Sequence, residues 1–239
     1  MKNTLKLVVL FTTMIFISCN VNFKNGIEGS GNIITEKRAI NENFDKIRSS
    51  TGVTVIVEQG TPTDVEVETD DNLMQHVITK VENGTLIVKI EGNINTMSSI
   101  DVRVKMNSIT GLEASSGSRI SSKNTFKGSS IVLKSSSGSE INAFLEYENV
   151  NCESTSGSTI TVSGKALKLE TASSSGSEID ANELVANEVF AQSTSGSSTT
   201  VKPIVLLNAK ASSGSSIDYA QTPKTIKKEE TSGGSVDKE

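Results

Sequence analysis

Few side chains in this sequence could do covalent or acid–base chemistry. One histidine, His76, and two cysteines, Cys19 and Cys152, stand among many serines. A serine hydrolase needs a base beside its nucleophile, but no nucleophile motif accompanies His76, which we predict to be a surface side chain. A glycosidase needs two converging carboxylates. The best-placed pair, Glu140 and Glu178, is predicted to be two strand spacings apart, about 10 Å, and to be solvated.

Candidate metal ligands and nucleic-acid contacts are equally sparse. The Gly-Gly-x-Gly-x-Asp nonapeptides that bind calcium in β-rolls are missing, and no His/Cys cluster has zinc-ligand spacing. The net charge is −5, and no basic patch indicates a nucleic-acid partner. We therefore predict no catalytic residues, no metal and no cofactor, and a protein that is not an enzyme.

The amino terminus has the pattern of an export signal. Lys2 and Lys6 flank the start of an apolar run, residues 5–17, which is too short to span a bilayer. Ser18 and Cys19 follow, and a small residue before a cysteine is typical of a lipoprotein signal in which the thiol receives a diacylglycerol. We predict lipidation of Cys19 and an outer-membrane lipoprotein of the cell envelope, held to the membrane through its lipid. The alternative is an ordinary signal peptide followed by a free Cys19.

Cysteine usage excludes a disulfide scaffold. Cys19 and Cys152 are the only two cysteines, and a lipidated Cys19 leaves Cys152 without a partner. Cys152 falls where other repeats carry leucine, so it is predicted to be a small core residue rather than a reactive thiol. Aromatic residues make up 4% of the chain and tryptophan is absent, so small aliphatic side chains must fill the core.

A repeat of about 19 residues organises the chain from about residue 112. Ser-Gly-Ser recurs with its central glycine at Gly117, Gly138, Gly157, Gly176, Gly196 and Gly214. These glycines and Gly233 are separated by 21, 19, 19, 20, 18 and 19 residues. A fixed period of this size is typical of a solenoid of stacked coils. The glycine supplies a positive φ at a sharp corner, and the flanking serines can hydrogen-bond to neighbouring backbone groups.

Apolar residues keep a fixed place relative to each glycine. Three residues after it stand Ile120, Ile141, Ile160, Ile179, Thr199 and Ile217. The positions five and seven residues before it and five after it are also mostly apolar, and steps of two indicate strands with one inward face. The pattern predicts an all-β parallel β-helix, a solenoid with coils of about 19 residues and Ser-Gly-Ser corners.

The same frame is present in diverged form in the amino-terminal half. Around Gly52, Ile47 lies five residues before, and Val55 and Val57 lie three and five residues after. Asn83-Gly84 is predicted to join two strands as a hairpin. The predicted division is a signal peptide at 1–18, a lipid-anchored tether at 19–28, and a single β-helix domain at 29–221 with diverged coils at 29–110 and regular repeats at 111–221. Residues 222–239 form either a tail or a last, frayed coil.

The lipoprotein signal, the strand at 52–60, the hairpin at 83–86 and the Ser-Gly-Ser ladder together resemble the head GIN domain family of auto-transporter adhesins. The resemblance covers about residues 29–219. It implies a right-handed parallel β-helix, similar to pectin-lyase-type helices, on a secreted or lipid-anchored protein with a role in cell adhesion. The family has no established catalytic residues, so the resemblance assigns none to this sequence.

Three functions stay open on the sequence. The first is an adhesin or surface-binding module, whose hydroxyl-rich edge binds glycans or surface proteins by many weak hydrogen bonds. The second is a structural or sensing envelope protein that binds only protein partners, and the third is a polysaccharide-active β-helix enzyme. Residues 20–24 contain no acidic run, so the side of the membrane stays open. The ligand-binding residues and the oligomeric state are also undetermined by the sequence.

Overall fold

The computed structural model describes residues 26–95 and 99–239. The predicted signal peptide and Cys19 lie outside the described residues. In the amino-terminal half, a short 3₁₀ helix, Met74–His76, interrupts a series of strands. These strands are Ile27–Glu28 (β1), Ile33–Lys37 (β2), Lys46–Ser49 (β3), Thr54–Gln59 (β4), Asp64–Asp70 (β5), Val77–Glu82 (β6), Thr85–Ile90 (β7), Ile94–Asn95 (β8) and Asp101–Met106 (β9).

The chain from Gly111 onward forms ten strands, four of which are 15 or 16 residues long and make up most of a coil each. They are Gly111–Ala114 (β10), Arg119–Ser122 (β11), Phe126–Ser136 (β12), Glu140–Thr155 (β13), Thr159–Ser174 (β14), Glu178–Ser193 (β15), Ser198–Ser212 (β16), Ser216–Tyr219 (β17), Thr225–Thr231 (β18) and Ser235–Lys238 (β19). Each coil pairs in parallel with the next, so that Ile141 faces Ile160 and Ile160 faces Ile179. The result is a β-solenoid of about seven turns, which confirms the predicted fold class.

Columns of similar side chains fill the core of the solenoid. The residues three positions after the corner glycines have no exposed surface: Ile120, Ile141, Ile160, Ile179, Thr199 and Ile217. Cys152 is fully buried in another column, between Leu133 and Thr171. One coil by itself would leave these side chains in water, so each coil depends on its neighbours for burial.

The amino-terminal strands combine a parallel coil with antiparallel layers. Strands β3 and β4 pair in parallel with β10 and β11 on one side, and with β7 and β9 on the other. Beyond them, β5 lies antiparallel to β9, β2 lies antiparallel to β5, and β6 forms a hairpin with β7 through Asn83-Gly84. The chain after β4 therefore folds back over the first coil and covers that end of the stack. The domain boundaries given above stay a prediction.

Candidate functional site

A ridge of exposed corners runs along one edge of the solenoid. The serine before each corner glycine is exposed and has a φ of 52–58°: Ser116, Ser137, Ser156, Ser175, Ser195 and Ser213. The corner glycines that follow them have a φ of 67–72°. A Cβ added at Gly157 would meet nothing within 4 Å. The glycine is therefore needed for its backbone angle, since two successive left-handed residues make a tight turn that most side chains disfavour.

Backbone hydrogen bonds join the corners to one another. The N–H of Gly157 donates to the carbonyl of Ser175 over 3.2 Å, and the N–H of Gly176 donates to the carbonyl of Ser195 over 3.1 Å. The same bond recurs along the repeats, so the exposed hydroxyls are held in register at the strand spacing of about 4.8 Å. The ridge is a rigid, hydroxyl-bearing edge.

The serine after each corner glycine has a structural role. Ser158 is 1% exposed, and its Oγ lies 2.7 Å from the carbonyl oxygen of Ser135, on the preceding coil. The same Oγ accepts the backbone N–H of Thr155 over 3.2 Å. Equivalent bonds are made by Ser118, Ser139, Ser177 and Ser215. Of the two serines that flank each glycine, only the one before it is therefore available to a ligand.

The carboxylates singled out in the sequence are separated in the structure. Thr159 lies between Glu140 and Glu178 in the same outward column. The carboxylate of Glu140 accepts hydrogen bonds from Asn142 over 2.6 Å and from Arg119 over 2.8 Å. These two bonds hold the pKa of Glu140 below its ordinary value, so it stays ionised and is a poor proton donor. The pair does not form a catalytic arrangement.

His76 and Cys152 do not form a nucleophile–base arrangement either. Nδ1 of His76 lies 3.1 Å from the carbonyl oxygen of Glu91. Burial raises the pKa of the Cys152 thiol to about 12, so the reactive thiolate is absent at neutral pH. Within residues 26–95 and 99–239, no group of three or more His, Cys, Asp or Glu side chains could hold a metal ion. No helix in that part of the chain is long and apolar enough to cross a membrane.

A hollow that the sequence reasoning missed lies on the face formed by the strand segments before the corners. Four residues before each glycine, the outward column reads Glu113, Lys134, Glu153, Ala172, Gln192, Lys210 and Glu229. Ala172 is the one small side chain in this column, and it leaves a hollow of about 280 Å³ beside the ring of Phe190. A second hollow, of about 300 Å³, adjoins it on the side of the corners. Aligning the repeats on their outward positions would have revealed Ala172 as the exception.

A more apolar hollow of about 510 Å³ lies on another side of the solenoid. Ala166, Leu167, Val185 and Ile204 line it. Leu167 is 56% exposed, so much of its apolar surface is accessible from this hollow. The corner ridge, the hollow at Ala172 and this apolar hollow are three features of the described structure that could receive a ligand.

The sequence matches the family described as "putative auto-transporter adhesin, head GIN domain" over residues 43–223. The chain belongs to this family. The head GIN domain match includes the coil of β3 and β4 as well as the regular repeats, and it confirms the resemblance drawn from the Ser-Gly-Ser ladder. A family of adhesins fits a non-catalytic protein of the cell surface. No curated protein matches the sequence.

Crystal structures of bacterial proteins share the fold of this head GIN domain chain. A "putative adhesin" from Bacteroides fragilis is 20% identical with a TM-score of 0.83, over 90% of this chain and 100% of that one. A "putative adhesin" from Parabacteroides merdae is 19% identical with a TM-score of 0.72, over 90% and 99% of the two chains. A "putative lipid binding protein" from Parabacteroides distasonis is 18% identical with a TM-score of 0.73, over 90% and 100%. At sequence identities of 18–20%, the similarity to these proteins establishes a shared fold and nothing more.

Proposed function

We propose that this protein is a non-catalytic adhesin of the cell envelope, anchored by a lipid on Cys19, whose Ser/Thr-rich solenoid surface binds glycans or surface proteins. The observation that carries the proposal is the corner ridge, in which exposed serines repeat from coil to coil on a hydrogen-bonded backbone. Family membership supports it, because the family is one of adhesins.

The physical argument for adhesion is preorganisation. One hydroxyl–ligand hydrogen bond contributes little in water, since it replaces hydrogen bonds to solvent. A row of hydroxyls on a rigid backbone loses little conformational entropy when it binds, so many weak contacts can act together. A long or repetitive ligand, such as a surface glycan or a fibrous protein, suits such a row better than a small metabolite does.

The ridge can be tested by removing its hydroxyls without changing its backbone. Replacing Ser137, Ser156 and Ser175 together by glycine removes three exposed hydroxyls, and glycine adopts their left-handed conformation readily. We expect cells that display this variant to adhere less to glycan- or matrix-coated surfaces than cells that display the unmodified protein. Equal adhesion at equal surface amounts, together with no adhesion defect on deletion of the whole protein, would refute the adhesin proposal.

The anchor has a separate test. Cells that produce the full chain are fed an alkyne-bearing fatty acid, and we expect the label on the protein and the protein in the membrane fraction. In the Cys19→Ala variant we expect both to be lost. Labelling that persists in this variant would contradict lipidation at Cys19. Protease treatment of intact cells then reports whether the anchored solenoid faces outward.

Binding of an acyl chain is a second candidate function, supported by the apolar hollow at Leu167 and by the name of the structural neighbour described as a lipid binding protein. If the hollow holds an acyl chain, a fluorescent fatty acid should bind the full chain, and Leu167→Glu should abolish binding. Thr161→Glu, on a different outward face, is the control. No fluorescence change with the unmodified protein would exclude this candidate.

A further inference from the structure

The hollow at Ala172 lies between an aromatic ring and a column of hydroxyls. Phe190 is half-buried in the outward column next to that of Ala172, and both residues line the hollow. On the corner side, the adjoining hollow is lined by Thr155, Ser174 and Thr194. The surface thus offers an apolar wall and a hydroxyl wall on the two sides of the Ala172 column. The walls are four residues apart along the strand, or about 13 Å, and ligand sites typically combine apolar surface with a few directed polar groups.

The charges around this hollow are already neutralised by the protein. Three ion pairs involve its walls: Lys134–Glu153 at 2.7 Å, Lys168–Glu170 at 2.5 Å and Lys210–Glu229 at 2.8 Å. A charged ligand would have to compete with an existing partner for each of these groups. Because such exchange brings little net gain at a surface, the walls favour a ligand without charge.

The remaining polar groups of the walls are amides with open hydrogen-bonding capacity. Among the described residues, the side-chain amides of Gln192 and Asn208 have no hydrogen-bond partner. Oδ1 of Asn151 is buried and also unpartnered there, although its Nδ2 lies 3.4 Å from the carboxylate of Glu170. The long contact of Nδ2 leaves the Asn151 amide able to donate to a ligand hydroxyl. Amides both donate and accept, as sugar hydroxyls do.

Phe190 provides the apolar part of such a site. Nζ of Lys168 lies 4.9 Å from the centre of its ring. A contact with the ring edge or with its free surface would bury the C–H groups of a pyranose against an aromatic side chain, which contributes through apolar burial. Phenylalanine is the largest side chain of its column, where its neighbours are Glu170 and Asn208.

We propose that the hollow at Ala172 is a subsite for a neutral oligosaccharide, whose sugar ring packs against Phe190 and whose hydroxyls bond to Asn151, Gln192 and Asn208. The inference rests on the proposed adhesin function and names its ligand class. Coils are spaced by about 4.8 Å, close to the length of one pyranose in an extended chain. A glycan that runs along the solenoid axis would therefore meet a new coil at each sugar.

The test measures binding of the full chain, in detergent, to hexamers of glucose, mannose, galactose and N-acetylglucosamine, with oligogalacturonate as the acidic comparison. We expect at least one neutral hexamer to bind and to be recovered uncut. Phe190→Ala and, separately, Ala172→Gln should each weaken that binding at least tenfold, the first by removing the apolar wall and the second by filling the hollow. Phe144→Ala, at an aromatic residue that is 55% exposed elsewhere on the solenoid, is the matched control and should bind as the unmodified chain does.

Two outcomes would overturn the inference. One is binding of a neutral hexamer that Phe190→Ala and Ala172→Gln leave unchanged, which would place the ligand elsewhere on the solenoid. The other is binding of oligogalacturonate only, or of none of these probes, while all variants melt at the same temperature. The adhesion of cells that display the protein is scored separately, so cells that adhere in either case would leave the adhesin proposal standing without this subsite.

Discussion

At the residue scale, the serines of one Ser-Gly-Ser corner have opposite roles. Ser156 is exposed and left-handed, with a φ of 57°, whereas Ser158 is buried and bonds the backbone of two coils. The sequence of the repeat does not distinguish these two roles, since both residues are serines beside the same glycine. The direction of each side chain follows from the turn, which points the first hydroxyl to solvent and the second into the stack.

We expect Ser158→Ala to lower the free energy of unfolding by about 1–3 kcal/mol, because it leaves the N–H of Thr155 and the carbonyl of Ser135 without their partner. Ser156→Ala is the matched control, and its effect should stay within about 0.5 kcal/mol, as is usual for a surface position. Urea titrations of the two variants measure both values. Equal destabilisation would contradict the division of roles.

Cys152 leads to a prediction about pH. Burial raises the pKa of its thiol to about 12, from an ordinary value of 9.0. The folded protein therefore holds this proton more tightly than the unfolded chain does, and the stabilisation is complete below about pH 9 and is lost as the pH rises towards about 12. We expect iodoacetamide at pH 8 to leave Cys152 unmodified in the folded protein and to modify it in guanidinium chloride. Mass spectrometry of the Cys152 peptide checks this, and modification without denaturant would show the thiol to be accessible.

At the scale of the element, a coil is defined by inward columns and a hydrogen-bonded corner. Ile160 has no exposed surface and packs between Ile141 and Ile179 of the neighbouring coils. Thr161, the next residue, points outward. Because inward and outward side chains alternate along one strand, the same substitution should destabilise the fold strongly at one position and only slightly at the next.

We expect Ile160→Asp to abolish cooperative unfolding, because it places an unpaired charge inside the stack. Thr161→Asp introduces the same carboxylate on the outward face and should change the melting temperature by only a few degrees. Thermal melts followed by circular dichroism compare the two. An unchanged melt for Ile160→Asp would refute the inward position of this column.

At the scale of the whole molecule, the solenoid is a one-dimensional stack whose interior coils have two neighbours. β14 pairs along nearly its whole length with β13 and β15, whereas β2 pairs with β5 and all five of its residues are exposed. Stability in such stacks depends on contacts between nearest neighbours. The antiparallel layers therefore protect the end of the stack and are themselves less protected than its centre.

Amide hydrogen exchange should report this gradient. We expect the slowest exchange in β14 and β15 and faster exchange in β2, because local opening needs less free energy where fewer neighbours must separate. Exchange in denaturant gives the intrinsic rates for comparison. Uniform protection across these strands would indicate that the solenoid unfolds only as a single unit.

The sequence by itself was sufficient for the β-solenoid, its period and its inward columns. A residue type that recurs at a fixed distance from a glycine reports the local backbone and the face of the strand, and both are encoded within one repeat. For the same reason it indicated that Ile160 and Cys152 lie in the core and that Glu140 and Glu178 stay apart.

Only the tertiary structure decided which distant residues meet. The neighbours of Ala172 in the adjacent coils lie 19 and 20 residues away, and the depth of the surface between them depends on how the side chains of successive coils pack. The hollow beside Phe190 forms only when successive coils stack. The sequence of a single repeat therefore does not show that Ala172 and Phe190 line a common hollow. The antiparallel pairing of β5 with β9 and of β2 with β5 is likewise a matter of long-range contacts, because antiparallel layers leave no trace in the glycine period.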